Sequence, residues 1–522
     1  RPPHWPEEET NVPTVLGFEA NVVPVVALLE ALQIAAANSR EYQSEKEAVF
    51  RSALELELER DAFRTSFAGL LSGLFRHNRS GLNQPGGAVS ESVEAGAEAG
   101  ASQLLKSGSA LSLRLGVDLL KLLEPGQFTS ESIFGDASIS IPLLRGSGRH
   151  IVMEPLNQAE RDVVYALHAF EQFKRRFAVG IASEYLDVLQ RQNAVENAAE
   201  NYRGLIGSSR RARRLLDAGK LPAIQVDQSL QEELSARNRW VSARESFAAA
   251  LDGFKATLGL PPDGPLLLDP EELAKLSQAA STIADAAADL EMQGKVPPAD
   301  APIELEEPSS DEAGPLEMKP ERAIEIALES RLDLQNAVGR VWDAQRRIVI
   351  AADRLRPELT LFGSASFTGE ELKGLDFDRG NYSALLNLNL PLERTAEAVA
   401  YRLSYVSLES SIRQLQALED GIKLDVRDRL RELREARESV RIQTLSAELA
   451  RRRVRGANLN LEAGRVEIRD LLEAREDLLS AQNALTAAAV DFRVAQLSLQ
   501  RDLGLLEVDH KGIWKEVEIL ED

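Results

Sequence analysis

The segment LEAGRVEIRDLLEAREDLLSAQNAL, Leu461–Leu485, has a counterpart earlier in the chain, LDAGKLPAIQVDQSLQEELSARNRW, Leu216–Trp240. In both, an acidic residue is followed by an Ala-Gly-base turn that opens into a stretch with helical apolar spacing. The surrounding blocks 217–260 and 462–505 align without gaps, and twelve of their 44 positions are identical. A turn-and-helix unit therefore occurs twice, 245 residues apart.

Two further pairs of segments extend the repeat. ALQIAAANSREYQ from Ala31 matches AIEIALESRLDLQ from Ala323 at an offset of 292, and Ile141–Leu143 matches Leu390–Leu392 at an offset of 249. The difference between the two offsets means that the first half holds 43 extra residues, which we place roughly at 82–123. The chain is therefore a tandem duplication with one insertion.

The composition limits the classes of function. The 522 residues carry a formal charge of -22, which argues against nucleic acid or an anionic membrane as partner because phosphate binding requires a basic face. There is no Cys, so thiol catalysis and thiolate metal sites are excluded. The five His are scattered without ligand spacing and no enzyme motif occurs, so we expect no enzymatic activity, no cofactor and no bound metal.

The repeats leave three segments outside them. We place the first repeat at 25–260 and the second at 321–505, separated by a connector rich in Pro and acidic residues at 261–320. An extended Pro-rich tail precedes the repeats at 1–24, and a C-terminal tail follows them at 506–522. The opening RPPHWPEEETNVP lacks Met and suggests that a targeting segment was removed, and no apolar run is long enough for a transmembrane helix.

Each repeat is predicted to end in a long antiparallel helical hairpin, at 155–259 and 394–503. Proline is absent from 156–221 and from the chain after Pro391, so nothing interrupts the helical spacing. The second repeat is predicted to open with another helix, at 320–355. An apolar stripe with a spacing of about 3.6 residues requires partner helices along its whole length, and glycine at each turn supplies the positive φ that ends a helix.

Two strands are predicted in each repeat, which makes about four core strands per chain. They lie at about 65–76, 133–144, 357–368 and 381–392. In the last strand Leu386 and Leu388 face one way, and Asn387 and Asn389 face the other. This alternation fits a sheet between lipid and water, and a soluble sandwich would show it too. Four strands cannot close a barrel alone, so we expect several chains to combine.

The insertion has a strand pattern of its own, because apolar and polar residues alternate over 111–119. Since it lies between the two strands of the first repeat, we expect it to emerge on the extracellular side as an added hairpin. The alternative is that it supplies a core strand and displaces Phe67–Phe75.

In this order, and twice over, these segments resemble the TolC-like outer-membrane efflux proteins, over roughly Val25–Leu505. The resemblance is carried by the two opening helices, the strand RPELTLFGSASF, the strand endings SISIPLLRGSG and LNLNLPLER, and the two glycine turns. It implies a mainly α fold with a β-barrel part, assembled as a homotrimer. Four strands per chain would form a 12-stranded transmembrane β-barrel. The tandem-duplicated long helical hairpins would continue this barrel as a periplasmic tunnel. It also implies three kinds of partner, namely a periplasmic adaptor, an inner-membrane pump and outer-membrane lipid.

The resemblance further implies a pore constriction, formed by acids just beyond the second turn. The matching residues are Asp470 and Glu473, which share one helical face and would form rings of carboxylates that favour cations. The alternative is two solvated charges on an ordinary amphipathic helix. The chain departs from the family pattern elsewhere, since the first-repeat equivalents are Gln225 and Gln228 and a basic residue is replaced by Val466.

The tips of the hairpins are the candidate contact with the adaptor. The residues concerned are Gly219, Lys220, Gly464 and Arg465, and the alternative is that they only form turns. We therefore expect an outer-membrane exit duct of a tripartite efflux or type I secretion system, which passively transports small molecules or proteins out of the periplasm. A periplasmic coiled-coil scaffold or adaptor, with a soluble β domain, is the other interpretation.

Overall fold

A computed structural model describes most of the chain. The described residues are 24–79, 89–122, 130–280, 316–370, 380–463, 465–509 and 511–515. Nearly all of the predicted N-terminal tail, most of the predicted connector, part of the C-terminal tail, and Gly464 lie outside these ranges.

The chain divides into two compact units. The helical unit comprises Arg1–Glu47, Ala169–Asp333 and Leu418–Asp522, and the sheet unit comprises Ala48–His168 and Leu334–Ala417. Helices account for most of the described residues, and one sheet of long strands makes up most of the β part. The predicted mainly α fold with a β part is therefore confirmed.

Among the described residues, the two repeats contain matching helices, except that the first repeat has one additional short helix at 149–152. The helices are α1 Leu28–Asn38, α2 Arg40–Asp61, α3 Arg149–Val152, α4 Glu154–Asp217, α5 Ala223–Thr257, α6 Pro320–Ser330, α7 Leu332–Arg354, α8 Thr395–Glu462 and α9 Ile468–Asp502. The long helices α4 and α8 have 64 and 68 residues, and each is followed by a helix of 35 residues. Among the described residues, none of the helices combines the length and apolar character needed to cross a lipid bilayer.

The duplication extends to the backbone at the breaks between helices. Ser39 separates α1 from α2, and its N–H donates to the carbonyl of Ala35 at 2.9 Å. Arg331 separates α6 from α7, and its N–H donates to the carbonyl of Ala327 at 3.1 Å. These positions are 292 residues apart, so the offset read from the sequence is also the offset of the structural repeat.

Gly259 and Gly504 end the two hairpins in the same way. Both have left-handed backbones, with φ of +75° and +77°. A Cβ at Gly259 would lie 2.3 Å from the carbonyl oxygen of Asn38, and a Cβ at Gly504 would lie 3.0 Å from that of Ser330. Both glycines are thus required by backbone conformation and by close approach to the end of α1 or α6.

In the core of the helical unit, α4 packs against a short parallel β-ladder. The ladder joins Val25–Val26 to Leu267–Leu268. Tyr185 of α4 is fully buried, and its hydroxyl lies 3.1 Å from the carbonyl oxygens of both Val26 and Asp269. The buried hydroxyl is therefore satisfied by backbone acceptors on both strands of the ladder.

The sheet unit contains a single antiparallel meander of six strands. The strands are β1 Ser66–Arg79, β2 Val89–Leu104, β3 Ala110–Leu122, β4 Ser130–Pro142, β5 Glu358–Glu370 and β6 Asn381–Asn389. Each strand pairs with the next along the chain, so β1 and β6 are the edges. The expected count of about four core strands is too low, because both strands of the insertion join the sheet.

The insertion forms β2 and β3, which span the sheet. Their turn, 105–109, lies beside the loop that follows β4, where the N–H of Gly148 donates to the carbonyl of Ser107 at 3.4 Å. The turn therefore reaches the end of the sheet that leads into the helices, which corrects the expectation of a hairpin emerging on the extracellular side. The segment Phe67–Phe75 stays in β1, so the insertion supplies core strands without displacing it.

The two faces of the sheet differ in polarity. One face is apolar across all six strands, and the other carries the charged side chains that the structure describes in the middle of the strands. The charged residues are Arg76, Glu94, Glu98, Arg114, Asp118 and Asp136. In β6 the predicted alternation is confirmed: Leu386 pairs with Leu361 on the apolar face, and Asn387 pairs with Thr360 on the polar face.

A row of serines crosses the polar face, with one serine from each strand directly opposite the next. The row is Ser66, Ser102, Ser112, Ser138, Ser364 and Ser383. Alternate neighbours bring their Oγ atoms within hydrogen-bonding distance, at 2.7, 2.7 and 2.8 Å. The row marks one level of the sheet across all its strands.

Within the sheet unit, a buried carboxylate joins α4 to α7. Asp343 of α7 is only 2% exposed. Its carboxylate lies 2.7 Å from Nε of Arg161 and 3.0 Å from Nη2 of Arg346, and it accepts a hydrogen bond of 2.8 Å from the hydroxyl of Tyr165. A buried charge of this kind is tolerated only because it is paired and hydrogen-bonded, so the cluster fixes the packing of these helices.

Candidate entrance at the two helical turns

The turns between the long helices share a backbone hydrogen bond in both repeats. After α4, the N–H of Gly219 donates to Leu216 O and the N–H of Lys220 donates to Leu215 O, both at 2.8 Å, and Gly219 has φ of +68°. This is a Schellman C-cap, with glycine in the left-handed position. After α8, the N–H of Arg465 donates to Asn460 O at 2.8 Å, which is the equivalent of the Lys220 bond 245 residues on.

Of the predicted tip residues, Gly219, Lys220 and Arg465 are exposed at the turns, whereas Gly464 lies outside the described residues. Their role as adaptor contacts stays a prediction. The positive φ of the turn explains why Gly219 is glycine. The side chains of Lys220 and Arg465 remain on the surface.

A small apolar cluster supports the turns from beneath. It is built from buried residues of both hairpins: Leu205, Ala212, Val226, Ala236, Ile468 and Leu472. The face of α9 that bears Ile468 and Leu472 is therefore occupied by packing. Asp470 is half-buried beside this face, and Glu473 is exposed.

Asp470 has a structural role at the start of α9. Its Oδ2 accepts a hydrogen bond of 3.1 Å from the N–H of Glu467, and the Glu467 side chain in turn caps the backbone at Asp470. The two residues form a reciprocal capping box, which satisfies backbone donors that a helix start leaves free. Asp470 therefore has a partner of its own, besides any effect of its charge on a pore.

Glu473 is paired with a cation that sequence reasoning missed. Its Oε1 lies 3.1 Å from Nη2 of Arg453 on α8, and the same guanidinium also pairs with Asp477. Glu473 lies nine residues after Gly464, whereas Arg453 lies eleven residues before it, so an equal count outward from the turn leads to Arg455 and does not identify Arg453. The acids beyond the second turn thus form a charged cluster, Arg453, Glu473 and Asp477, in which negative charge is in excess.

The first repeat keeps one acid of this cluster and lacks its cation. The residues equivalent to Arg453, Glu473 and Asp477 are Ser208, Gln228 and Glu232, and Gln225 is the equivalent of Asp470. Ser208 is buried, and its hydroxyl donates to the carbonyl of Gly204 at 3.1 Å. The two turns therefore share a backbone hydrogen bond and differ in charge.

Polar contacts near the turns link the hairpins of the helical unit. Arg239 of α5 lies 2.9 Å from Glu476 of α9, and Arg211 of α4 lies 3.1 Å from Glu462 of α8. Arg475 lies against Gly204, where any Cβ would collide with its guanidinium. Among the described residues its Nε has no hydrogen-bond partner, and burial lowers the pKa of this guanidinium.

Comparison with solved structures assigns the fold. The chain is similar to CusC (14% identity, TM-score 0.62, covering 91% of this chain and 92% of that one) and to VceC, an outer membrane protein of Vibrio cholerae (13%, 0.61, 91% and 96%). It is also similar to the MtrE outer membrane channel of Neisseria gonorrhoeae in its open state (15%, 0.59, 92% and 89%). The chain thus has the fold of TolC-like outer-membrane channels.

A comparison of the sequence with protein-family models agrees with the structural similarity. Residues 323–505, which are almost the whole second repeat, match the model of the outer membrane efflux protein family. No curated protein matches the sequence. The resemblance to the TolC-like outer-membrane efflux proteins is confirmed, and these proteins are channels rather than enzymes.

Proposed function

We propose that the chain is one third of an outer-membrane exit duct, which receives its cargo from an inner-membrane pump through a periplasmic adaptor in a tripartite efflux or type I secretion system. The observation that carries this proposal is the match of residues 323–505 to the outer membrane efflux proteins. The likeness in fold extends over about nine-tenths of the chain and so includes the first repeat.

The sheet supports a membrane location and association with further copies. Its apolar face is exposed in the single chain, with Leu71 85% exposed and Tyr382 70% exposed. Exposed apolar surface of this extent is typical of contact with lipid or with another protein. Because lipid offers no hydrogen bonds to the backbone, the strands must close into a barrel, which a single chain of six strands with two edges does not do.

We propose that the second turn lies at the periplasmic entrance of the duct. Three copies would present three clusters of Arg453, Glu473 and Asp477, and the excess of carboxylates would favour cations. Lys220 and Arg465 are exposed at the two turns and are the proposed contacts with the adaptor.

Extraction from membranes tests the proposed class. The duct predicts a protein that requires detergent, runs as a trimer that heating dissociates, and forms conducting channels in planar bilayers. A water-soluble, elongated monomer without conductance would overturn the duct and favour a periplasmic scaffold or adaptor.

Single-channel selectivity tests the entrance. Replacing Asp470→Asn and Glu473→Gln together should lower the preference for cations, because two negative charges per chain are lost from the constriction. A matched control is Glu409→Gln with Asp420→Asn, since both are exposed acids paired within α8. Equal selectivity of the two double variants would show that Asp470 and Glu473 do not line the pore.

A further inference from the structure

The two edges of the six-stranded sheet lack partners on their outer sides among the described residues. Both edge strands are long, at 14 residues for β1 and nine for β6. Their side chains are exposed wherever the structure describes them. A long, exposed, apolar edge is a template for pairing with another strand, and lipid offers no hydrogen bonds to its free N–H and C=O groups.

We propose that β6 of one copy pairs antiparallel with β1 of the next, with Asn389 opposite Ser66 and Asn381 opposite Leu74, so that three copies close one eighteen-stranded sheet. The proposal rests on the trimeric duct proposed above and goes beyond it. Each copy contributes six strands rather than four, because the insertion forms part of the wall.

The direction of the strands allows this closure. In an antiparallel meander of six strands, the first and last run in opposite directions. When β6 meets β1 of the next copy, the pair is therefore antiparallel, like every ladder within the chain. Ser66 begins β1 and Asn389 ends β6 at the same end of the sheet, so pairing these two residues aligns the edges along nine positions.

Side chains of the two edges complement each other in this register. On the apolar face, large residues of one edge fall opposite small residues of the other in three of four pairs. The pairs are Tyr382 with Gly73, Leu386 with Gly69, Ala384 with Leu71 and Leu388 with Phe67. A Cβ at Gly73 would meet nothing within 4 Å, so there is room for the ring of Tyr382.

Other registers match less well. A shift by one residue would place the leucines of β6 opposite the polar-face residues of β1, which strand alternation forbids. A shift by two residues would set Tyr382 against Leu71 or Phe75. On the polar face, the proposed register places Ser383 opposite Ser72 of the next copy, so serine again meets serine at the junction.

The eighteen-stranded sheet changes the outlet of the duct. Barrel diameter grows roughly in proportion to the number of strands, so the two added strands per chain widen the lumen by about half relative to four strands. They also bring Glu94, Glu98, Arg114 and Asp118 to the polar face. The insertion thus gives a wider outlet with an acidic wall.

The cysteine-free chain allows a direct test by disulfide formation. The double variant Leu71→Cys with Ala384→Cys places thiols on residues that the proposed register makes direct neighbours across the junction. The matched control is Leu71→Cys with Leu388→Cys, in which the second thiol is about 13 Å further along β6. A third variant, Ser112→Cys with Ser138→Cys, tests the pairing of β3 with β4 inside one chain, where the Oγ atoms lie 2.7 Å apart.

After oxidation of the purified trimer, the first variant should give covalent trimers on denaturing gels, and the control should remain monomeric. The third variant should form its disulfide within the chain. If a conducting trimer gives no crosslink for the first variant, or no internal disulfide for the third, the eighteen-stranded sheet is wrong while the duct stands. A soluble monomer would overturn both.

Discussion

The two repeats agree where backbone geometry is demanding and differ where side chains meet water. Both end their hairpins on a left-handed glycine, Gly259 or Gly504, packed against the end of the opening helix. At the turns between the long helices, only the second repeat carries the charged cluster of Arg453, Glu473 and Asp477. The two repeats have therefore kept the same hairpin ends after duplication, whereas the charged side chains near their turns differ.

The repeats also differ in the sheet. The first repeat supplies β1 to β4 and the second supplies β5 and β6, because the insertion adds one hairpin to the first. The insertion keeps the number of strands even, so the two edges still run antiparallel. An insertion of this kind enlarges the sheet without changing how its ends meet.

The largest expected effect is the loss of stability when Gly259 or Gly504 is replaced by Ala, and its size depends on the space around each glycine. Gly259→Ala should destabilise the protein by about 3 kcal/mol, because it adds a left-handed Ala and a collision with the backbone of Asn38. Gly504→Ala, with a looser approach to Ser330, should cost about 2 kcal/mol. Chemical denaturation in detergent would measure both.

Gly219→Ala is the control for that series. Gly219 has a left-handed backbone but nothing near its missing Cβ, so the cost should be about 1 kcal/mol. Equal losses for Gly219→Ala and Gly259→Ala would show that the close approach to Asn38 contributes nothing to the requirement for glycine at position 259.

The next prediction distinguishes the contribution of Asp470 to stability as a helix cap from the effect of its charge. Asp470→Ala should cost about 1 kcal/mol, since it removes the acceptor of the capping box, whereas Asp470→Asn keeps an oxygen acceptor and should cost less. Amide hydrogen exchange near the start of α9 would report the difference. Gln225→Ala, the equivalent change in the first repeat, should have little effect, and a loss as large as that of Asp470→Ala would contradict the proposed asymmetry.

Arg453→Ala should have a smaller effect on stability and a visible effect on conduction. Exposed ion pairs contribute about 0.2 to 1 kcal/mol, and less at high salt. The change leaves Glu473 and Asp477 without their cation, so cation preference in bilayers should rise. Arg452→Ala is the control, because Arg452 pairs with Glu448 on the same helix. If cation preference rose equally in both variants, the cluster of Arg453, Glu473 and Asp477 would not line the pore.

The smallest effect concerns an ion pair between the connector and α8 of the second repeat. Glu317 lies 3.1 Å from Arg437, and burial raises its pKa despite the opposing pull of Arg437 and Arg434. Since the folded-state pKa lies above the unfolded value, the stability linked to this carboxyl is full below about pH 4.5 and falls as pH rises through the folded-state pKa.

Melting temperatures from pH 4 upward would test this against Glu317→Gln, which cannot ionise. The stability of the wild type relative to the variant should decline with rising pH. A relative gain instead would mean that Arg437 outweighs burial.

Much of the frame could be predicted from the sequence. The hairpins, their glycine turns and the alternation in β6 follow from apolar periods of 3.6 and 2 residues and from the few residue types that tolerate a positive φ. The capping box could also have been suspected, since Glu467 and Asp470 are three residues apart.

The sequence by itself determined the duplication, its three offsets, the position of the insertion and the long helices, because these are properties of local pattern and of self-similarity along the chain. Only the tertiary structure decided that β2 and β3 join the sheet and that Glu473 is paired with Arg453. Strand partners and ion pairs depend on which segments lie side by side, and local periodicity holds no information about a neighbour distant in the chain.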